Sequence, residues 1–126
     1  MKASARLALI PILALAACAP QPPPPRQKLA LDCSLPYEDL AAKVLAQPGL
    51  VPAPQERGEP YRFYNVEGGG EAFVITQKGA PGHPAILKQE AVKENGRKVM
   101  KNTGCAYGDK AGFNEVMAYL ESLSAR

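Results

Sequence analysis

Histidine occurs once in this 126-residue chain, and cysteine three times. The lone histidine, His83, is a poor start for a zinc site, which takes three or four ligands. No Cys-x-x-Cys pair is present, so a thiol redox centre has no basis in the sequence. Gly-x-Ser-x-Gly and Ser-x-x-Lys arrangements are missing too; Ser34, Ser122 and Ser124 stand in neither. The consecutive Gly68, Gly69 and Gly70 precede a strand-like run, not a Gly-Lys-Ser/Thr helix start, so they make a turn rather than a phosphate loop. Glu38 with Asp39, and Glu90 with Glu94, are close carboxylates in stretches that read as solvated surface. No catalytic residue is assigned, and no metal or cofactor is expected.

What is present begins at the N-terminus. Lys2 and Arg6 precede an apolar stretch over about residues 7–17 that ends in small side chains, the make-up of a secretory signal. The stretch is far shorter than the roughly 20 residues of a membrane-crossing helix. Pro11 within it also disfavours a long helix. Its last residues, Leu15-Ala16-Ala17-Cys18, resemble the lipobox of bacterial lipoproteins. The resemblance covers residues 1–18 only. It implies cleavage between Ala17 and Cys18, acylation of Cys18 with palmitate-type chains, and the lipid bilayer as a partner. Ala19 follows where an Asp would imply inner-membrane retention, so the implied address is the outer membrane, facing the periplasm. A diacylglycerol with an amide-linked chain exceeds the two signals that stable anchoring takes.

The segments divide as signal peptide 1–17, anchor and tether 18–32, and one small domain 33–126. Pro20 and the prolines at 22–25 give the tether polyproline II character, at about 3.1 Å per residue. Ten such residues hold the domain on the order of 30 Å from the lipid surface. The whole chain has 15 basic and 12 acidic side chains, and removing Lys2 and Arg6 with the signal leaves a net charge of +1. Nucleic acid is therefore not an expected partner, since it needs a clustered basic footprint.

With Cys18 committed to lipid, Cys33 and Cys105 remain, and an even pair in an exported small domain reads as a disulfide. A small domain of this length is marginal without such a staple. Residues 34–47 read as a helix, with Ser34 able to cap it and Pro36 in its first turn. Tyr37, Leu40, Ala41, Val44 and Leu45 form its apolar stripe. Residues 50–60, with three prolines, read as a loop. Strands are expected over 61–67, 71–78, 85–93 and 97–107, the last two a hairpin around Asn95-Gly96. That turn pairs Glu90 with Lys101 and Ile86 with Cys105 on one side, and Leu87 with Gly104 on the other. Neither side is cleanly apolar, so the buried face stays open. Asp109 caps a last helix striped by Phe113, Val116, Met117, Leu120 and Leu123. The expected fold is α+β: a four-stranded antiparallel sheet with an N-terminal and a C-terminal helix on one face.

Three side chains are candidates for contact with a partner. His83 lies in the loop 79–84, where it either shapes the turn or meets a partner. Tyr61 and Phe63 share one strand face and Tyr64 takes the other, so one set is core and the other is free for contact. The leading expectation is a non-enzymatic, lipid-anchored accessory module that binds an unidentified envelope protein. A small-ligand binding protein, or an inhibitor of an envelope-attacking enzyme, is the alternative, and a cell-wall enzyme a third. The lipobox makes a direct prediction: in cells fed labelled palmitate, the wild-type chain takes up label and Cys18→Ala takes up none.

Overall fold

The computed structural model describes residues 28–124, together with isolated Pro11 and Pro20. Ala17, Cys18 and the prolines at 22–25 lie outside the described residues. Two helices and five strands follow in the order α1 (Tyr37–Leu45), β1 (Leu50–Pro52), β2 (Tyr61–Val66), β3 (Glu71–Thr76), β4 (Ala85–Glu94), β5 (Arg97–Ala106) and α2 (Lys110–Ser124). The strands form one antiparallel meander in the order β1-β2-β3-β4-β5. The fold class is α+β, as expected.

The hairpin register is the one that its turn dictates. Asn95 and Gly96 both have positive φ, 50° and 77°, which is what a two-residue loop matching the sheet twist demands. Glu94 then faces Arg97, Glu90 faces Lys101, and Ile86 faces Cys105.

Two expectations are corrected. The sheet has five strands, because Leu50, Val51 and Pro52 pair with Val66, Asn65 and Tyr64. The prolines that argued for a loop are compatible with a short edge strand, where an absent N–H breaks no central ladder. The ladder continues one step further, with the Ala53 N–H donating to the Phe63 carbonyl at 2.8 Å. The second correction concerns the helices, which pack on opposite faces rather than one. On the α1 side, Leu40 and Val44 meet Phe73, Ile75, Ile86 and Cys105. On the α2 side, Val116 and Leu120 meet Val74, Ala85 and Leu87. The physical reason lies in two unbroken apolar runs, Phe73-Val74-Ile75 and Ala85-Ile86-Leu87. Alternating side chains send part of each run to either face, so a single helical layer would leave half of them in water.

Helix entry also differs. Pro36, not Ser34, is the N-cap of α1, and it makes no side-chain capping bond. Ser34 instead turns back on Asp32, its N–H donating to Oδ1 at 3.0 Å and its hydroxyl donating to the same oxygen. These two donors hold the Asp32 carboxyl below its ordinary range. At α2 the expectation holds: Asp109 Oδ2 accepts from the Gly112 N–H at 2.9 Å. The stripes are narrower than expected, with Leu45 at the edge of α1 51 % exposed.

Cys33 and Cys105 are disulfide-bonded across 72 residues of chain. In the chain-entropy model a loop of that length contributes roughly 4 kcal/mol. Tyr107, two residues on, reinforces the tie: its hydroxyl donates to the Leu35 carbonyl at 2.8 Å, and its ring meets Tyr37 edge-on at 5.7 Å. The packed body also reaches upstream of Cys33, because Leu29 and Leu31 lie against the α1-side core.

The loop 79–84 is pressed backbone to backbone against the start of α2. A Cβ added at Gly112 would sit 2.2 Å from the Gly82 nitrogen. Neither backbone can yield without moving a helix or a loop tied to the sheet. Gly112→Ala is therefore expected to lower unfolding free energy by about 3 kcal/mol, the upper range of overpacking effects, in urea denaturation followed by circular dichroism.

Candidate functional site

An open surface groove lies where β2 begins beside α2. Tyr61 and Phe63 point to the α2 side, and Tyr64 to the α1 side, as strand alternation requires. All three are half-buried, so neither set is simply core. Tyr61 stacks on Tyr119 of α2, with ring centroids 5.7 Å apart and planes 20° apart. Phe63 meets Tyr61 edge-on at 6.4 Å. Tyr119 precedes Leu120 in the helix, at the flank of the buried stripe. One side of its ring rests on Tyr61, and the residue is still 39 % exposed.

The Tyr61 and Tyr119 rings line an open groove of about 540 Å³. Glu115, one helical turn before Tyr119, and Pro81 also line it. The turn carrying Glu56, Arg57, Gly58 and Glu59 completes the lining. Gln55 holds that turn in place. Its Nε2 donates to the Glu59 carbonyl at 2.9 Å and to Gln77 Oε1 at 2.8 Å, and its Oε1 accepts from Arg62 at 2.9 Å. Three carboxylates thus face one guanidinium around a pair of aromatic faces. Burial raises the Tyr61 phenol above its ordinary value of 10.0, and Tyr119, Glu115 and Glu59 push it the same way. The ring stays a neutral phenol with its negative π face intact.

His83 is used elsewhere. Its Nδ1 lies 2.8 Å from Thr76 Oγ1, and its ring stands edge-on to Tyr37 at 6.4 Å. The Thr76 hydroxyl also accepts from the Ala85 N–H at 2.8 Å and lies 3.1 Å from the Ala85 carbonyl. Thr76 is 2 % exposed, so its oxygen is committed to closing the β3–β4 end and to seating the loop. The three expected contact residues are therefore not one site. Tyr61 belongs to the groove, Tyr64 packs under α1, and His83 anchors a loop. Tyr119, Glu115 and the 56–59 turn were not singled out in the sequence. The one available signal was Tyr119, an aromatic just off the helical stripe.

A second cluster lies on the α1 face. Lys88 Nζ donates to the Leu29 carbonyl at 2.9 Å, and lies 3.6 Å from Glu71 Oε2 and 3.5 Å from Glu90 Oε2. Lys28 Nζ meets Glu90 Oε1 at 2.8 Å. Glu90 is thus not paired with Glu94, which faces Arg97 across the hairpin. Together these contacts clasp residues 28–31 onto the sheet. Among the described residues no group of three His, Cys, Asp or Glu side chains is arranged to hold a metal ion. No described helix is long and apolar enough to cross a membrane.

The clasp carries a pH dependence of definite sign. Lys28 donates to Glu90 and, with help from Lys88, holds its carboxyl below the ordinary 4.5. A carboxyl depressed in the folded state contributes stability above its unfolded value and loses it as pH falls through the folded one. The packing of Leu29 and Leu31 against the α1-side core, followed through their methyl nuclear Overhauser contacts, is therefore expected to weaken between about pH 5 and about pH 3, while β3 stays packed. Glu90→Gln is expected to remove that pH dependence.

No family model, curated protein or solved structure matches this chain.

Proposed function

We propose that this protein is a lipid-anchored envelope module, tethered to the periplasmic side of an outer membrane through Cys18, that docks a partner protein at the Tyr61–Tyr119 groove. The groove carries the docking part of this reading. A stacked tyrosine pair with one ring 39 % exposed, set in an open cleft, is the make-up of a contact surface, where Tyr is enriched. Leu15-Ala16-Ala17-Cys18 supports the anchor. The Cys33–Cys105 disulfide supports an oxidising compartment outside the cytosol.

The arrangement of the body suits this role. The described chain enters at Lys28, clasped to Glu90 on the α1 face. The groove opens on the α2 face at the level of Tyr61 and Thr76, which pair across β2 and β3. Thr76 bonds to Ala85, five residues along β4 from Glu90, or roughly 17 Å at strand rise. Residues 28–31 and the groove thus occupy different faces and different ends of the body.

One observation favours the second reading, a binding protein for a soluble ligand or an inhibitor of an envelope-attacking enzyme. Pro81, from the loop 79–84, forms part of the groove wall, so the concavity does reach that loop. Site-specific photocrosslinking separates the two. With a photoreactive side chain at position 119 of the full chain and Cys18 intact, irradiation of whole envelopes is expected to yield adducts with another membrane-fraction protein. Adducts only with a soluble enzyme, or none at all, would count against a docked envelope partner.

A further inference from the structure

We infer that the Tyr61–Tyr119 groove takes an extended, arginine-bearing segment of a partner protein, with the guanidinium laid on the exposed face of Tyr119 between Glu59 and Glu115. The inference rests on the reading of this domain as an interaction module, and not on the anchor. Charge decides the class of occupant. Glu56, Glu59 and Glu115 outnumber Arg57 around the cleft, which repels phosphates, carboxylates and nucleic acid. Ring geometry decides the kind of cation. Tyr61 covers one face of Tyr119 nearly parallel at 5.7 Å, and a cation seeks the remaining face. A planar guanidinium stacks on a ring while its edge N–H groups reach carboxylates, which a lysine ammonium cannot do as well.

Shape decides the rest. The cleft is open to solvent, whereas a small-molecule site buries most of its ligand. A main chain running along the cleft and presenting one side chain to the tyrosines fits an open groove. The lining is held before binding by Gln55 and by the Tyr61 stack, so little ordering is left to oppose docking.

Fluorescence anisotropy on the full lipidated chain in detergent micelles tests this. The probe is a short labelled proline-rich peptide carrying two arginines, set against the same peptide with citrulline and with glutamate in their places. The arginine peptide is expected to bind about tenfold tighter than the citrulline peptide, and the glutamate peptide not at all. Tyr119→Ala and Glu115→Gln are each expected to weaken binding about fivefold; Glu115→Gln leaves thermal unfolding unchanged because its side chain is exposed, and Tyr119→Ala, which also removes the stack on Tyr61, lowers the unfolding temperature by only about a few degrees. Binding of the arginine peptide is expected to weaken with salt. Equal affinity for arginine and citrulline peptides, no binding of either, or indifference to both variants overturns the inference. So does a dimer of the chain that Tyr119→Ala dissociates, which would make a second copy the occupant. If position 119 still crosslinks a membrane protein when the arginine preference fails, the docking reading stands and only the arginine assignment is lost.

Discussion

Burial of both faces at one end of the β3–β4 pair is the constraint on which the rest of the structure depends. Phe73, Val74, Ile86 and Leu87 are all fully buried, although neighbours in each run point in opposite directions. Each such side chain is worth roughly 1.5–3 kcal/mol when taken out of water. Neither helix would hold alone: α1 has nine residues and α2 fifteen, and isolated helices of about that length are marginal in water. The sheet therefore makes the helices stable, and the helices make the central strands dry. The disulfide and the Tyr107–Leu35 bond keep the α1 layer from drifting off the β5 end.

The same strands carry a change in character along their length. Toward the hairpin turn β4 passes from Ala85, Ile86 and Leu87 to Lys88, Gln89 and Glu90, and burial fades with it. Lys88 and Glu71 fall at the boundary and are nearly as buried as the apolar core. Lys88 has Glu90 as a second partner, whereas Glu71 without Lys88 would be a buried charge left uncompensated, at a cost of about 3–5 kcal/mol. The chain satisfies them by folding residues 28–31 over that region, with the Leu29 carbonyl accepting from Lys88 and Lys28 completing Glu90. A segment that looks like the end of a tether is thus also the lid of a charged cluster.

On the other face, the groove lies beside α2, whose packing runs over β3, β4 and β5. Val116 and Leu120 cover Val74 and Leu87, but β2 lies further toward the sheet edge. Tyr119 bridges that gap by stacking on Tyr61 and leaves a cleft that the 56–59 turn only partly closes. A rigid scaffold presenting loop residues around a cleft is a common layout for binding surfaces.

Local features of this fold were legible in the sequence. Asn95-Gly96 specified the turn and with it every pair of the β4–β5 register, because two positive φ values admit few residues and a two-residue loop admits one alignment. Asp109 marked the start of α2, and the even cysteine pair marked the disulfide. Less was legible where the outcome hangs on a neighbour. Residues 50–52 become a strand only because β2 offers them an edge, and Ser34 bonds back to Asp32 instead of capping α1. The side taken by each helix was open for a simple reason: period-two alternation within an unbroken apolar run marks both faces as buried and labels neither. The groove was further out of reach, since Tyr61, Glu59 and Tyr119 meet only after four strands and a helix have found their places. The sequence by itself determined the Asn95-Gly96 turn, the Asp109 cap, the cysteine partnership and an N-terminal segment resembling a lipobox, all governed by near neighbours or simple counting. Only the tertiary structure decided which faces are dry and which aromatics remain exposed, because those outcomes depend on packing between segments distant in the chain.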